Sequence, residues 1–259
     1  MAKMYVWAGV VACVTATLAC RSGYRVVEVS GERIPLTARY DECPDPVAER
    51  ILAPYKEMVE RTMSEVVGRA ARTLRAYRPE SPLSNLLSDI IRQTAAERTG
   101  MAIDMAVMNM GGIRNLLEEG EVTVGDIFQM CPFENELVVV TLSGDVLLEL
   151  LEQMAACGGE GVSGASLVIS TDRRLLEAKV DGRPVRPDRD YRVATIDYVA
   201  EGNDKMTAFK RAKEVHKVPD GLLREVLMEY VRHCTQAGIQ LDAHEERRIR
   251  TERKEEAIE

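Results

Sequence analysis

Histidine is scarce in this chain: 259 residues hold three, His216, His233 and His244, far apart from one another. Isolated histidines of this kind read as surface or satisfied core residues rather than metal ligands. The six cysteines never fall at C-x-x-C spacing, which argues against zinc ribbons and thioredoxin-type redox sites. No sustained Lys/Arg run faces aromatic residues, and the formal net charge is −8. Nucleic acid is therefore a poor candidate partner. A P-loop, a G-x-S-x-G elbow and repeats of solenoid period are missing, and the one G-x-G-x-x-G, Gly159 to Gly164, follows a helical pattern and precedes a strand, the reverse of a dinucleotide fingerprint. Aromatics are few, with three Phe, eight Tyr and one Trp, so each one carries weight.

What is present is enough hydrophobic residue, 46% with 29% charged, to bury a substantial core. The N-terminus differs in kind. Residues 1–20, MAKMYVWAGVVACVTATLAC, hold one early cation, Lys3, and then an uncharged apolar stretch from Met4 to Ala19. The stretch is short for a spanning helix and ends in small residues, so it reads as a signal peptide. Ala19 before Cys20 resembles a bacterial lipobox, which makes Cys20 the expected lipidation site. A plain cleaved signal or an uncleaved anchor is the competing reading. Export would leave Cys43, Cys131, Cys157 and Cys234, for which isolated core thiols are a better fit than disulfides.

Residues 24–36, YRVVEVSGERIPL, alternate like a strand or hairpin. From Pro46 to about Leu74 apolar residues recur at helical spacing, with Pro54 and Gly68 as bends or interruptions. LSNLLSDIIRQTAAERTG predicts a helix capped by Ser84 or Asn85 and closed by Gly100. Ile103 to Asn109 suits a buried strand, and Gly111-Gly112 a tight turn after it. Asp126 to Met130 suits a helical turn. ELVVVTLSG predicts a strand and DVLLELLEQMAAC a helix, and Gly158 to Gly164 a glycine-rich loop. ASLVIST, LLEAKV and DYRVATIDYVA predict strands, with an Asp181-Gly182 turn. A last amphipathic helix covers Leu222 to Ala237. The charged segment 244–259 predicts a solvated helical end or disorder. Helices mixed with β-ribbons imply a mixed α/β, layered fold, with one principal domain over residues 21–243.

Asn109-x-Gly-Gly-Ile-Arg114, then GEVTVGDIF, PFEN, a VVV strand and SGDVLLELLE follow one another in order. With YRVATIDYVAEGNDKMTAF at 191–209, the series resembles the C-terminal, substrate-binding domain of the 5′-nucleotidase family, over roughly residues 46–242. The resemblance implies β-sheets flanked by helices. It also implies that Phe133 and Tyr198 sandwich a nucleobase, that Asp204 accepts from ribose hydroxyls, and that Asn109 and Arg114 line the sugar side. Asn135 matches a polar residue of some members. Burial in the core is the alternative for both aromatics, and a surface ion pair with Glu118 the alternative for Arg114. The chain also departs from the pattern. Gly202-Asn203-Asp204-Lys205-Met206 replaces Gly-Gly-Asp-Gly-aromatic, with Asn203 expected to take the positive φ of a glycine. Ser84 replaces a glycine, and Arg78 sits one place off the family's upstream arginine.

Complete members of the family add a metallophosphoesterase domain in which two metals activate water. Its G-N-H-D/E motif does not occur here, and the single D-x-H, Asp242-Ala243-His244, stands alone near the C-terminus with no companion motif. The resemblance therefore implies a recognition half with no catalytic residue, metal or cofactor of its own. Divalent metals would belong to a separately encoded metallophosphoesterase partner. The expected ligand is a nucleoside or nucleotide. The expected location is extracytoplasmic, as a periplasmic or outer-membrane-associated lipoprotein held to the membrane by its lipid. A stand-alone nucleoside-binding lipoprotein and a scaffold that kept the fold without the ligand are the alternatives.

Overall fold

The computed structural model describes residues 26–252. The expected signal peptide and the expected lipidation site at Cys20 lie outside the described residues. The chain divides into two units, Met1–Leu52 and Ala53–Glu259. In the first, residues 26–45 carry no strand, only a single 3₁₀ turn at Ala38–Tyr40, and every residue from 26 to 52 is exposed. The strand or hairpin expected from the alternation does not form among the described residues, where Val27, Val29, Ile34 and Leu36 are left exposed. Helix α1 (Pro46–Met63) runs across the boundary with Pro54 inside it.

That helix stops at Met63 rather than continuing to Leu74. Strand β1 (Val66–Ala70) follows and pairs antiparallel with β3 (Gly120–Thr123). Gly68 marks the switch. A Cβ there would lie 2.5 Å from Val231 Cγ1 and 2.9 Å from Thr235 Oγ1. Both belong to the last helix, α6 (Leu223–Gln236), so the glycine admits a helix laid directly on the ribbon.

Helix α2 (Pro82–Thr99) begins earlier than expected. Ser81 caps it by accepting the Ser84 N–H at 3.3 Å, Pro82 occupies the first turn, and Gly100 closes it at φ 68°. Asn85 is not a cap. It is buried inside the helix and donates to Glu80 Oε1 at 2.7 Å and to the His244 carbonyl at 3.0 Å. Strand β2 (Met105–Met108) is buried throughout. Helix α3 (Val124–Met130) starts from a complete capping box between Thr123 and Asp126.

The central sheet has the order β10-β4-β9-β2-β5, built from β4 (Glu136–Ser143), β5 (Gly161–Ser163), β9 (Asp190–Ile196) and β10 (Glu214–Leu222) around β2. β2 runs parallel to β9 and antiparallel to β5, while β4 runs antiparallel to both β9 and β10. Leu137 to Val140 are buried in succession, which requires cover on both faces. Helices α2 and α4 (Gly144–Cys157) both pack on β4 and β9. Helix α4 also reaches β6 (Ala165–Ser170) and β7 (Leu175–Val180), in a second sheet of order β11-β6-β7-β8.

The expected glycine-rich loop thus contains strand β5. The expected solvated tail contains strand β11 (Ile249–Glu252), parallel to β6. Ile249 is buried, and the half-buried Arg248 guanidinium donates to both carboxylate oxygens of Asp89, at 2.8 and 2.7 Å. The buried Glu80 carboxylate accepts the backbone N–H of Glu246 at 2.6 Å and of Ile249 at 3.1 Å. β8 (Arg183–Pro184) ends the second sheet across the Asp181-Gly182 turn. The architecture is mixed α/β, sheets flanked by helices.

Candidate functional site

Asn109, Gly111, Gly112, Arg114, Phe133, Asn135, Tyr198 and Asp204 line one pocket of about 290 Å³. All six residues singled out as ligand contacts, Asn109, Arg114, Phe133, Asn135, Tyr198 and Asp204, therefore meet on one surface. They come from three places: the end of β2, the loop between α3 and β4, and the turn that follows β9. That last turn is helix α5 (Asp197–Ala200), one turn long, where alternation predicts continued strand.

Gly111 and Gly112 stand in a 3₁₀ turn, and neither has a positive φ. Their role is close approach, not an unusual backbone angle. A Cβ on Gly111 would lie 2.9 Å from Asp204 Oδ2, and one on Gly112 would lie 2.7 Å from Asn109 Oδ1. Any larger residue would push the two polar side chains apart. Asn109 is buried and its Nδ2 donates to Asp204 Oδ2 at 2.6 Å. Its Oδ1 is buried with no partner among the described residues, an acceptor left free at the pocket wall.

The Asp204 carboxylate receives a second hydrogen bond from the Tyr198 hydroxyl at 3.2 Å. A carboxylate has about four acceptor positions, so two remain for a ligand's donors. The charge on Asp204, then this hydrogen bond, raise the Tyr198 phenol above its usual pKa, keeping it protonated and donating. The positive φ angles of this turn fall at Gly202, Asp204 and Lys205, not at Asn203. Asn203 Nδ2 instead donates to the Tyr198 carbonyl at 2.8 Å and ties the turn to the aromatic.

Phe133 is 47% exposed and Tyr198 42%. Neither is a core residue, which removes the burial alternative for both. Arg114 is exposed, and its Nη1 donates to the Gly111 carbonyl at 3.3 Å. Glu118 accepts from the Thr73 hydroxyl at 3.1 Å, and no ion pair joins it to Arg114 among the described residues.

Two groups behind the pocket escaped the sequence reading. The Glu160 side chain is almost fully enclosed, accepts the Met110 N–H at 2.6 Å and pairs with Arg78. Arg78 also donates through Nε to the Gly159 carbonyl at 2.8 Å, so it braces the turn after Asn109 without lining the pocket. Burial raises the Glu160 carboxyl above its usual pKa of 4.5, against the Met110 N–H and the Arg78 charge. Arg224 is the second such group, held beneath the Phe133 loop. A glutamate in a glycine-rich segment and an arginine in a helix first turn carry no distinguishing pattern.

Among the described residues no three His, Cys, Asp or Glu side chains gather as a metal site, and the three histidines are exposed. The described cysteines are free thiols: Cys131 and Cys234 are buried, Cys157 is half-buried and Cys43 is exposed, not in a core. Burial pushes the Cys131 thiol up to about 12.

The family model for the 5′-nucleotidase C-terminal domain matches residues 62–211. The trifunctional nucleotide phosphoesterase protein YfkN of Bacillus subtilis is 30% identical over 199 residues, 69% of this chain and 13% of that protein. The endonuclease YhcR of the same organism is 32% identical over 165 residues, 61% of this chain and 13% of that protein. This chain thus spans a small part of either relative. The 5′-nucleotidase precursor from Thermus thermophilus superposes with a TM-score of 0.70 at 27% identity, covering 81% of this chain and 44% of that one. The chain belongs to the 5′-nucleotidase C-terminal domain family.

Proposed function

We propose that the chain is the nucleoside- or nucleotide-recognition half of a 5′-nucleotidase. The observation that carries this reading is the convergence of Phe133, Tyr198, Asp204, Asn109, Arg114 and Asn135 on one pocket. The two exposed aromatics stack the base, a contact worth roughly 1–3 kcal/mol per base. Asp204, held by Asn109 and Tyr198, accepts from the two ribose hydroxyls. Arg114 offers its donor fork to sugar oxygens or phosphate, and Asn135 supplies a further polar contact. The chain's share of catalysis is positioning. It orients the ligand so that its phosphate would meet the metals of a metallophosphoesterase, which would supply the activated water.

Export fits this reading, with residues 1–20 as signal peptide and Cys20 as lipid attachment site on a periplasmic or outer-membrane protein. A relative at 30% identity, Lmo0130 of Listeria monocytogenes, is named a cell wall protein.

The test is calorimetric titration of the chain from residue 21 with adenosine and AMP, repeated on Phe133→Ala. Binding that weakens by about tenfold or more in the variant is expected from loss of one stacking face. Absence of heat with either ligand, in the wild-type chain, sinks the recognition reading for the isolated chain.

A further inference from the structure

The loop that carries Phe133 is gripped from behind by the first turn of α6. Its two flanks are both held there. Leu223 N–H donates to the Asn135 carbonyl at 2.9 Å, and Arg224 Nη1 donates to the Pro132 carbonyl at 3.3 Å. The Arg224 guanidinium lies over the Phe128 ring, 4.1 Å from its centroid, and 3.8 Å from the Glu134 carboxylate.

This is an expensive place for an arginine. Its side chain is only 9% exposed and its Nε is buried with no partner among the described residues, which costs free energy that a hydrophobic residue would not. It also stands at the second position of α6, where the helix dipole disfavours a cation. Leu223, Val226 and Leu227 beside it are buried and apolar, so the core itself offers no reason for a charge. What the guanidinium does contribute is a planar donor that reaches a loop carbonyl while its face covers an aromatic ring.

We infer that Arg224 is a positioning residue for the aromatic wall of the pocket. By holding Pro132 against α6, with Leu223 holding Asn135, it fixes Phe133 at the pocket edge and keeps it from collapsing onto the surface. The consequence for a ligand rests on the nucleoside reading above. A pre-placed ring stacks without paying to order its loop, so the clamp acts on affinity through Phe133.

The test separates these two levels. Phenylalanine-selective isotope labelling gives three signals, from Phe128, Phe133 and Phe209. In Arg224→Met, the Phe133 backbone signal is expected to show increased fast motion while buried Phe209 stays as in the wild type. Unchanged Phe133 order would overturn the inference whatever the ligand does. Adenosine titration of wild type, Arg224→Met, Phe133→Ala and the double variant forms a cycle. Arg224→Met is expected to weaken binding about tenfold alone and not at all on the Phe133→Ala background. An equal loss on both backgrounds would mean a general structural role and overturn the inference. If the wild type binds no adenosine, the nucleoside reading fails, and the labelling result still decides the clamp. Arg224→Lys keeps the charge but loses the fork, and is read in the same way, with smaller effects, if Arg224→Met does not fold.

Discussion

Glu160 shows what a single enclosed side chain adds to this pocket. Its carboxylate braces the backbone next to Asn109, yet burial favours its protonated form. A carboxyl whose folded pKa lies above its unfolded one binds more protons in the folded chain. Its contribution to stability is therefore fully present below the unfolded value of 4.5 and fades as pH rises through the higher folded value. Thermal melting between pH 4 and 7 should show wild type losing ground relative to Glu160→Gln as pH rises. A constant difference between the two would contradict this assignment. None of it was legible in sequence, because a carboxylate in a glycine-rich segment looks like a solvated loop residue. The lining residues were legible only as an ordered set of motifs. Nothing about Asn109 or Tyr198 alone points to a site. The glycine pair was read as a tight turn, and a turn forms there. Space for Asp204 and Asn109, rather than backbone freedom, requires glycine at both positions.

At the level of elements, the strongly periodic segments read well and the edges read poorly. Helices α2, α4 and α6 carry an unambiguous apolar period and form close to where it places them. β1 and β11 were missed because both are short and their neighbours imitate something else. β1 continues the apolar spacing of a helix, and β11 sits in a run of charges. What defines β11 is tertiary: a parallel partner in β6, a buried Ile249, and Glu80 waiting for two backbone donors. Ending the chain after Ala243 should therefore cost about 3–5 kcal/mol, from exposed apolar surface and an unsatisfied buried carboxylate. Urea denaturation followed by circular dichroism measures it. A midpoint unchanged from the full chain would show that the strand contributes nothing.

For the whole molecule, the core lies within the second unit, while described residues 26–52 bury nothing. Relative to a chain beginning at Val26, one beginning at Ala53 is expected to unfold within about 0.5 kcal/mol, the range of changes that touch no buried group. A larger loss, measured by the same urea titration, would reveal a structural role for residues before Ala53. The Asn135–Leu223 hydrogen bond has a bearing on synthesis. Every residue that lines the pocket has been joined to the chain once Asp204 is added, nineteen residues before Leu223. A growing chain of that length already contains every lining residue, but its Phe133 loop lacks the Asn135 anchor. The loop gains that anchor only once α6 has been made, whatever the order in which the sheets assemble.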